Sequence, residues 1–507
     1  TYVVDLPAGG LLTIIGANIS SASATLTVGA SISGRVFEDV NYGGGAGRSL
    51  ATSGGVVLAG ARVELYNGAG AYVGFTTTDG TGAYTWPNLA AGSYTVRVVN
   101  LTVPSSRGGY VATLIPVQTY RTDASSGIAV AVTDRVGGQD PDAVDAGNGG
   151  AGTTMNTATG VFSAGISGQA QSIAPVTISG AGNIASVDFG FSFDVMVNRN
   201  TSGQGSLRQV ITNANALANA GLAQAGRPAG TENAIFMLAN GTAFPGTNPG
   251  YANQFAGGVA TINLTSALPS ISSALVLDAQ TQPGWSGVPI VELDGSGAGG
   301  GGDGFTISSA NNVVSGFIIN RFGDQGIILT GAGATGNVVA GNYIGVNASG
   351  TAASANGSYG IQMLSGASNN TIGGTAAAAR NVISGNGSAG IRIRDASSTG
   401  NVILGNYVGL NAAGTGALGN AAEGILINSS AGDNIVGGTG AGAGNRIWYN
   451  GGDGVVVTSN AADGNAILGN SISSNTGLGI DLGNNGVTTN NGSKATNQPN
   501  DGMDHPV

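Results

Sequence analysis

Residues 337–352 read Asn-Val-Val-Ala-Gly-Asn-Tyr-Ile-Gly-Val-Asn-Ala-Ser-Gly-Thr-Ala, and residues 401–416 read Asn-Val-Ile-Leu-Gly-Asn-Tyr-Val-Gly-Leu-Asn-Ala-Ala-Gly-Thr-Gly. These near copies lie 64 positions apart. The phrase N-x-[VI]-x-G-N begins at Asn337, Asn381, Asn401 and Asn465, with a looser copy, NRIWYN, at Asn445. A second phrase, Gly followed by Ile, Val or Phe and then alternating residues, begins at Gly304, Gly326, Gly360, Gly390, Gly424, Gly454 and Gly479, and its internal gaps run 34, 30, 34, 30. A repeat this long, with short aliphatic runs between Gly and Asn corners, is a stack of coils, each burying its Ile, Val and Leu against the next. Two coils of 30 and 34 residues account for the period, and three coils of roughly 21 are the alternative. The spacing predicts a parallel β-helix of roughly eight coils and about 40 Å, at about 4.8 Å per strand.

Composition agrees. Glycine supplies 93 of 507 residues, charged residues are 8%, and 41% are hydrophobic. Mean hydropathy is +0.18, which excludes a disordered chain. The absence of a Gly-x-y period excludes collagen. The net charge is −10 and the pI near 4.4. The basic residues are arginines apart from Lys494, and the histidine is His505. A basic nucleic-acid footprint is absent. With no cysteine there is no disulfide or thiol chemistry. No stretch reaches the ~20 apolar residues of a membrane span, and the chain opens on Thr1, as expected of a processed, secreted product.

The order of compositions divides the chain into an N-terminal strand segment (1–30), a β-sandwich with an insertion (31–194), a linker with a helix (195–260), the β-helix (261–487) and an Asn/Gly-rich tail (488–507) in which nothing resembles a cap. Within the sandwich, residues 61–66 and 94–99 alternate, which places Val63 and Leu65 inward and Arg62 and Glu64 outward. The Asp79-Gly80 pair between them is a hairpin signal. Residues 31–100, with V-E-L-Y, T-D-G-T-G-A-Y and G-S-Y-T-V-R-V, resemble the B-type prealbumin-like repeats of bacterial surface proteins, and residues 187–193 look like the closing strand. The resemblance stops at an insertion from about 104 to 180 and implies a stalk or spacer of an adhesin. The Lys–Asn crosslink of some relatives cannot form, because this sandwich has no lysine. Further on, Ser206 and Gln209 form a capping-box pattern ahead of Leu207, Val210, Ile211, Ala214 and Leu217 at helical spacing. Residues 197–217 resemble the short segment that caps right-handed β-helices of secreted bacterial proteins. The repeat wording itself resembles that of the pectate-lyase-like right-handed β-helices of carbohydrate-active enzymes and surface proteins. The expected fold class is therefore all-β: an antiparallel β-sandwich followed by a helix-capped, right-handed parallel β-helix.

Candidate chemistry is sparse. Asp140, Asp142 and Asp145 in a Gly-rich loop, and Asp39 with Asn41 in Glu-Asp-Val-Asn-Tyr-Gly, are oxygen ligands suited to Ca²⁺. Asp303, Glu423 and Asp453 each precede a coil-opening glycine, where Asp is a turn former. Arg392 and Arg394 alternate with inward Ile391 and Ile393 beside Asp395. They read as a solvated strand face, or as the base of a lyase. Tyr343, Tyr407, Trp448 and Tyr449 are the outward aromatics able to meet a saccharide. No catalytic residue or cofactor is assigned.

These features predict an extracellular, cell-surface structural or adhesive protein, self-assembling through an open coil edge into a filament or sheath. Residues 1–28 are expected to pair with a neighbour by strand addition. The alternative is a polysaccharide-active or glycan-binding β-helix, and a receptor-binding spike is a third reading. Expected partners are copies of itself and a glycan or cell-surface ligand, without nucleic acid or a membrane span.

Overall fold

The computed structural model describes residues 29–487 and 498–502, apart from 126, 144, 146, 157–160, 165–169, 181, 225, 227 and 461. The N-terminal arm (1–28), His505 and most of the tail therefore lie outside the described residues. From residue 195 onward the chain winds through three parallel sheets. The first runs from Val195–Met196 and Glu232–Phe236 through Val338–Ala340, Thr371–Gly373 and Val402–Leu404 to Ala466–Leu468. The second runs from Ala260–Asn263 through Tyr343–Ile344, Val382–Ile383, Tyr407–Val408 and Arg446–Trp448 to Ser471–Ser473. The third runs from Phe305–Ile307 through Ile391–Arg394 to Ile480–Leu482. This is a parallel β-helix. Its strands enter the stack before residue 261, because Val195–Met196 and Glu232–Phe236 already pair in parallel.

The 64-residue period is two coils. In one coil the first and second sheets are separated by Gly341-Asn342 alone, and a short hairpin follows, bridged Val346 to Ala353. In the next, an insertion over 374–380 separates the first and second sheets instead. The hairpin recurs at Leu410 to Ala417, and Ala412 N donates to Gly350 O at 2.9 Å, so like loops stack across the intervening coil. Two of these coils are needed before the outline repeats.

The asparagines of the repeated phrase fill three corners. Along the first, Asn312, Asn337, Asn370, Asn401, Asn434 and Asn465 pass an amide N–H to the side-chain oxygen of the next residue at 2.8–3.1 Å. The second ladder is Asn342, Asn381, Asn406, Asn445 and Asn470. The third is Asn356, Asn386, Asn420, Asn450 and Asn475. The phrase N-x-[VI]-x-G-N is thus one strand flanked by two corners. The copies at Asn337 and Asn401 join the first ladder to the second, and those at Asn381 and Asn445 join the second to the third. Buried amides are satisfied by their own kind, as low-dielectric interiors require. Between the corners, Ile344, Ile361, Ile372, Ile383, Ile391, Ile403 and their equivalents are fully buried in one continuous core, each contributing about 1.5–3 kcal/mol.

Each end has its own arrangement. Helix Leu207–Ala216 lays Leu207, Val210, Ile211 and Ala214 on the first coil's core. Ser206 Oγ accepts from Gln209 N at 3.2 Å. The other half of the expected capping box does not form: Ser206 N donates to Gly203 O at 3.1 Å, and the Gln209 amide donates to Thr113 O of the sandwich and to Asn213 Oδ1. At the far end the tail does supply a partial cap, contrary to its composition. Asn500, in the turn Pro499–Gly502, extends the first ladder by accepting from Asn465 N at 2.9 Å. The signal is one asparagine 35 residues past Asn465, hidden among other asparagines.

The N-terminal sandwich is mostly antiparallel, with parallel pairing of Ala30–Glu38 to Phe189–Ser192 and of Val117–Ser125 to Ile173–Ile178. The insertion therefore contributes inner strands. Two expectations fail here. The Asp79-Gly80 turn closes no hairpin. Tyr72–Thr77 pairs with Arg62–Asn67, whereas Ala83–Leu89 pairs with Ala30–Glu38. The chain crosses layers because Tyr84 turns inward and donates to Val187 O at 2.6 Å. Glu64 is not on a solvent face either. It and Arg97 are fully buried beside Asp145, Gly147 and Gly149, with Arg97 Nη1 2.7 Å from Glu64 and Gly149 N donating to Glu64 at 2.6 Å. Burial alone would raise the Glu64 pKa, but Arg97, Arg62 and Tyr66 hold it below the ordinary carboxylate value.

Sandwich and rod share an interior. Tyr42, Val117 and Val136 of the sandwich pack with Val195, Val197, Ile235 and Met237 of the first coil. Beside them Arg107 reaches across to Asp194 and Glu232.

Candidate functional site

The outer face of the second sheet carries a line of residues in strict register: Tyr343, Val382, Tyr407, Arg446 and Ser471. Parallel stacking without slip puts successive members about 4.8 Å apart. Tyr343 and Tyr407 stand against the hairpin tips, since a Cβ on Gly350 or Gly414 would come within 3.0 and 2.5 Å of the respective ring. Burial raises the Tyr343 pKa. The Arg380 guanidinium lies 4.2 Å from the Tyr407 ring centre, and its Nε donates to Gly405 O at 3.0 Å. Arg446 lies 5.4 Å from the Tyr407 ring and 4.4 Å from that of Trp448. Trp448 donates to Ser471 O and meets Tyr449 edge-on at 6.0 Å. Next to Tyr343 the loop 285–289 and the insertion 374–380 enclose a groove of about 260 Å³. The expected aromatics therefore lie on one face, but Tyr343 and Tyr407 also support architecture. Arg380, Arg446 and Trp285 are new to the site. Arg446 and Trp448 fill the variable positions of the Asn445 copy, whose departure from the phrase is Tyr449 in place of Gly.

Arg392 and Arg394 stand on the third sheet. Arg392 donates to Tyr359 Oη at 2.9 Å, and Arg394 pairs with Asp395 at 3.1 Å. Asp303 accepts from Gln325 N and Asp453 from Leu478 N, both as corner groups bonding the next coil. Burial raises the Asp303 pKa. Glu423 sits one coil below Asp453 at the same corner.

Neither of the two loops read from the sequence gathers all its oxygen ligands. Asp39 pairs with Arg48. Asn41 Oδ1 accepts from Ala223 N at 2.6 Å. Asp145, fully buried, pairs with Arg97 and accepts from Asn100 N at 2.5 Å. Asp140 and Asp142 share a turn closed by Asp142 N donating to Asp140 Oδ1 at 3.1 Å, and burial, then Asp140, raises the Asp142 pKa. Among the described residues no three His, Cys, Asp or Glu side chains gather as a metal site, and no helix is long and apolar enough to cross a membrane.

No curated protein matches the chain. Among solved structures, a periplasmic alginate epimerase (a point mutant) aligns at 16% identity over 48% of this chain and 49% of its own, with a TM-score of 0.28. The Dettilon tailspike protein aligns at 14% identity over 58% of each chain, with a TM-score of 0.24. The chain thus spans about half the length of the epimerase. Residues 30–147, the sandwich up to the buried Arg97–Asp145 pair, match the family model of the SdrD B-like domain.

Proposed function

We propose that this chain is an extracellular surface protein with a structural and adhesive role, in which the B-like sandwich is a rigid base and the β-helix rod presents the contact surface. The SdrD B-like domain is a surface-protein domain, and the observation that supports the reading most is the shared interior of sandwich and rod. A flexible linker would isolate the two, whereas a continuous core transmits load and fixes orientation. Labelling intact cells of the source with antibody against the rod tests this. Surface labelling is expected, and an exclusively internal pool would overturn it.

Self-assembly extends that proposal. On the last coil Ile480 is 44% and Leu468 46% exposed, with Ile467, Ile472 and Leu482 half-buried. Such a coil offers strand edges to a neighbour. Light scattering across a concentration series is expected to show association, and a monomer throughout would remove the filament reading while leaving adhesion. A polysaccharide-active enzyme is the second reading, favoured by the stacking of Glu423 and Asp453 on consecutive coils. Release of reducing or unsaturated ends, abolished by Glu423→Gln, would establish it.

A further inference from the structure

We propose that the sandwich joins copies of this chain edge to edge, strand Tyr72–Thr77 of one copy pairing in parallel with strand Ile128–Val132 of the next. This names a contact for the self-assembly reading above and rests on it. Successive pairings run from Ile128–Val132 through Val117–Ser125, Ile173–Ile178, Gly92–Val98 and Arg62–Asn67 to Tyr72–Thr77. The two named strands are the outer members of that layer, and among the described residues neither has a strand paired on its far side. Thr153 O accepts from Tyr72 N, and the edge is open from Val73 onward. Open edges attract added strands, and proteins usually block them with charge or proline. Neither Tyr-Val-Gly-Phe-Thr-Thr nor Ile-Ala-Val-Ala-Val contains either. Val73, Phe75, Ile128 and Val130 are 48–66% exposed.

Hydrogen-bond alternation and side-chain facing decide how these two edges fit. Thr78 N donates to Ala61 O at 3.0 Å, so alternation turns the main chain of Thr76 into the sheet and that of Phe75 and Thr77 to the open side. Thr122 N donates to Asp188 O, and Thr122 stands opposite Ala131. Ala129 and Ala131 therefore face the open side of the other edge. The next group in that series, Thr133 O, already accepts from Gly47 N at 2.8 Å. Phe75 lies in line with Glu64, Arg97 and Ile173, and Ile128 with Ser125 and Thr177, so Val73, Phe75, Ile128 and Val130 share the outer face of the layer. The two strands also run in the same direction. In a parallel pair a residue bonds the two neighbours of the one opposite it. Phe75 set opposite Val130 of the next copy thus donates to Ala129 O and accepts from Ala131 N, and Val73 comes beside Ile128. Antiparallel pairing of the same edges would oppose Phe75 to Ala129 or Ala131, which point to the other face. Each added copy offers the same two edges again, a heterologous contact that propagates as a filament. Two Tyr72–Thr77 edges paired about a two-fold axis are the rival. That pair would bring together two Phe75 rings, each with the Arg62 guanidinium 3.6 Å from its centre, and would leave Ile128–Val132 open.

The chain has no cysteine, so introduced thiols report this contact alone. Paired strands hold opposite residues about 4.8 Å apart, within the reach of a disulfide. Phe75→Cys and Val130→Cys, mixed in equal amounts with oxidised glutathione, are expected to give a disulfide-linked dimer on a denaturing gel. Each variant alone is expected to stay monomeric on that gel, and the double variant to give a ladder of oligomers. Linking should be at least tenfold slower when Ala131→Cys replaces Val130→Cys. Phe75 and Val130 are exposed, so their variants keep the melting midpoint of the unaltered chain. Phe75→Cys alone linking as fast as the mixture overturns the proposal in favour of the two-fold pair. A mixture that links only once residues 1–28 are removed overturns it in favour of that arm on the edge. No linking in a mixture whose light scattering still shows association overturns it and leaves self-assembly through the rod end. No association at any concentration removes the self-assembly reading, and this contact with it.

Discussion

Arg107, on a loop of the sandwich, donates from Nη2 to Glu232 Oε2 at 2.5 Å, and Glu232 is the first residue of strand Glu232–Phe236 in the β-helix. Both side chains are buried, and the same guanidinium lies 2.9 Å from Asp194. One cation thus holds two carboxylates at the seam between the domains. The seam is a charge cluster inside an apolar surround, so its integrity depends on every member being present.

Arg107→Ala leaves two buried carboxylates without their cation. Breaking one partner of a buried pair costs about 3–5 kcal/mol. Urea denaturation followed by tryptophan fluorescence should show that loss, with the single transition split into separate sandwich and rod steps.

The same cluster predicts a pH dependence. Burial first, and Glu232 second, raise the Asp194 pKa well above the ordinary carboxylate range. A raised folded-state pKa means the native state binds the proton more tightly than the unfolded chain does. Its contribution is fully present below the unfolded value, near pH 4, and is lost as pH rises through the folded value. Burial raises Glu38 in the same direction. The urea midpoint is therefore expected to be higher at pH 5 than at pH 8, and the difference should shrink, leaving the Glu38 part, in Asp194→Asn.

Asn406→Ala tests the ladders. It removes the acceptor of Asn381 N and Nδ2, and the donor to Ile372 O. At about 1–3 kcal/mol for each orphaned buried group, the loss exceeds about 3 kcal/mol. Asn411→Ala, at an exposed hairpin turn, should cost about 1 kcal/mol. Thermal melts of the two variants distinguish a ladder from a set of turn asparagines.

Gly409 and Gly331 both have φ of +86°, but a Cβ on Gly409 would lie 2.0 Å from Trp448 O, while nothing lies within 4 Å at Gly331. Gly331→Ala should cost the backbone penalty alone, about 1–2 kcal/mol. Gly409→Ala should cost clearly more, because the clash is with main chain of the next coil. Calorimetry on both separates conformation from close approach.

Chelation by EDTA is expected to leave the melting midpoint unchanged, since Arg97 and Arg48 already neutralise Asp145 and Asp39. Asp145→Asn should lower it. A midpoint that falls in EDTA and recovers with calcium would show that Asp140 and Asp142 hold an ion.

The β-helix was legible because its signals are local and repeated. Aliphatic runs between Asn and Gly corners recur every two coils, and stacking imposes the same demand at each level, so Asn337, Asn401 and Gly424 read as corners from the chain alone. The sandwich strands at 61–66 and 94–99 were legible by alternation. The fate of Glu64 and Arg97 was not, because their cover comes from Asp145, Gly147 and Gly149, and nothing local to either strand announces it. The Asp79 turn reads locally as a hairpin, and only the inward turn of Tyr84 sends its two arms to different partners. Arg380, Arg446 and Trp448 are dispersed along the chain and meet because parallel registry brings position 382 beside 407 and 446. Periodicity specifies the coil, since each coil must satisfy its own core and corners. Which outward side chains become neighbours, and which charges become buried pairs, depends on how loops of unequal length stack, and that is decided in three dimensions.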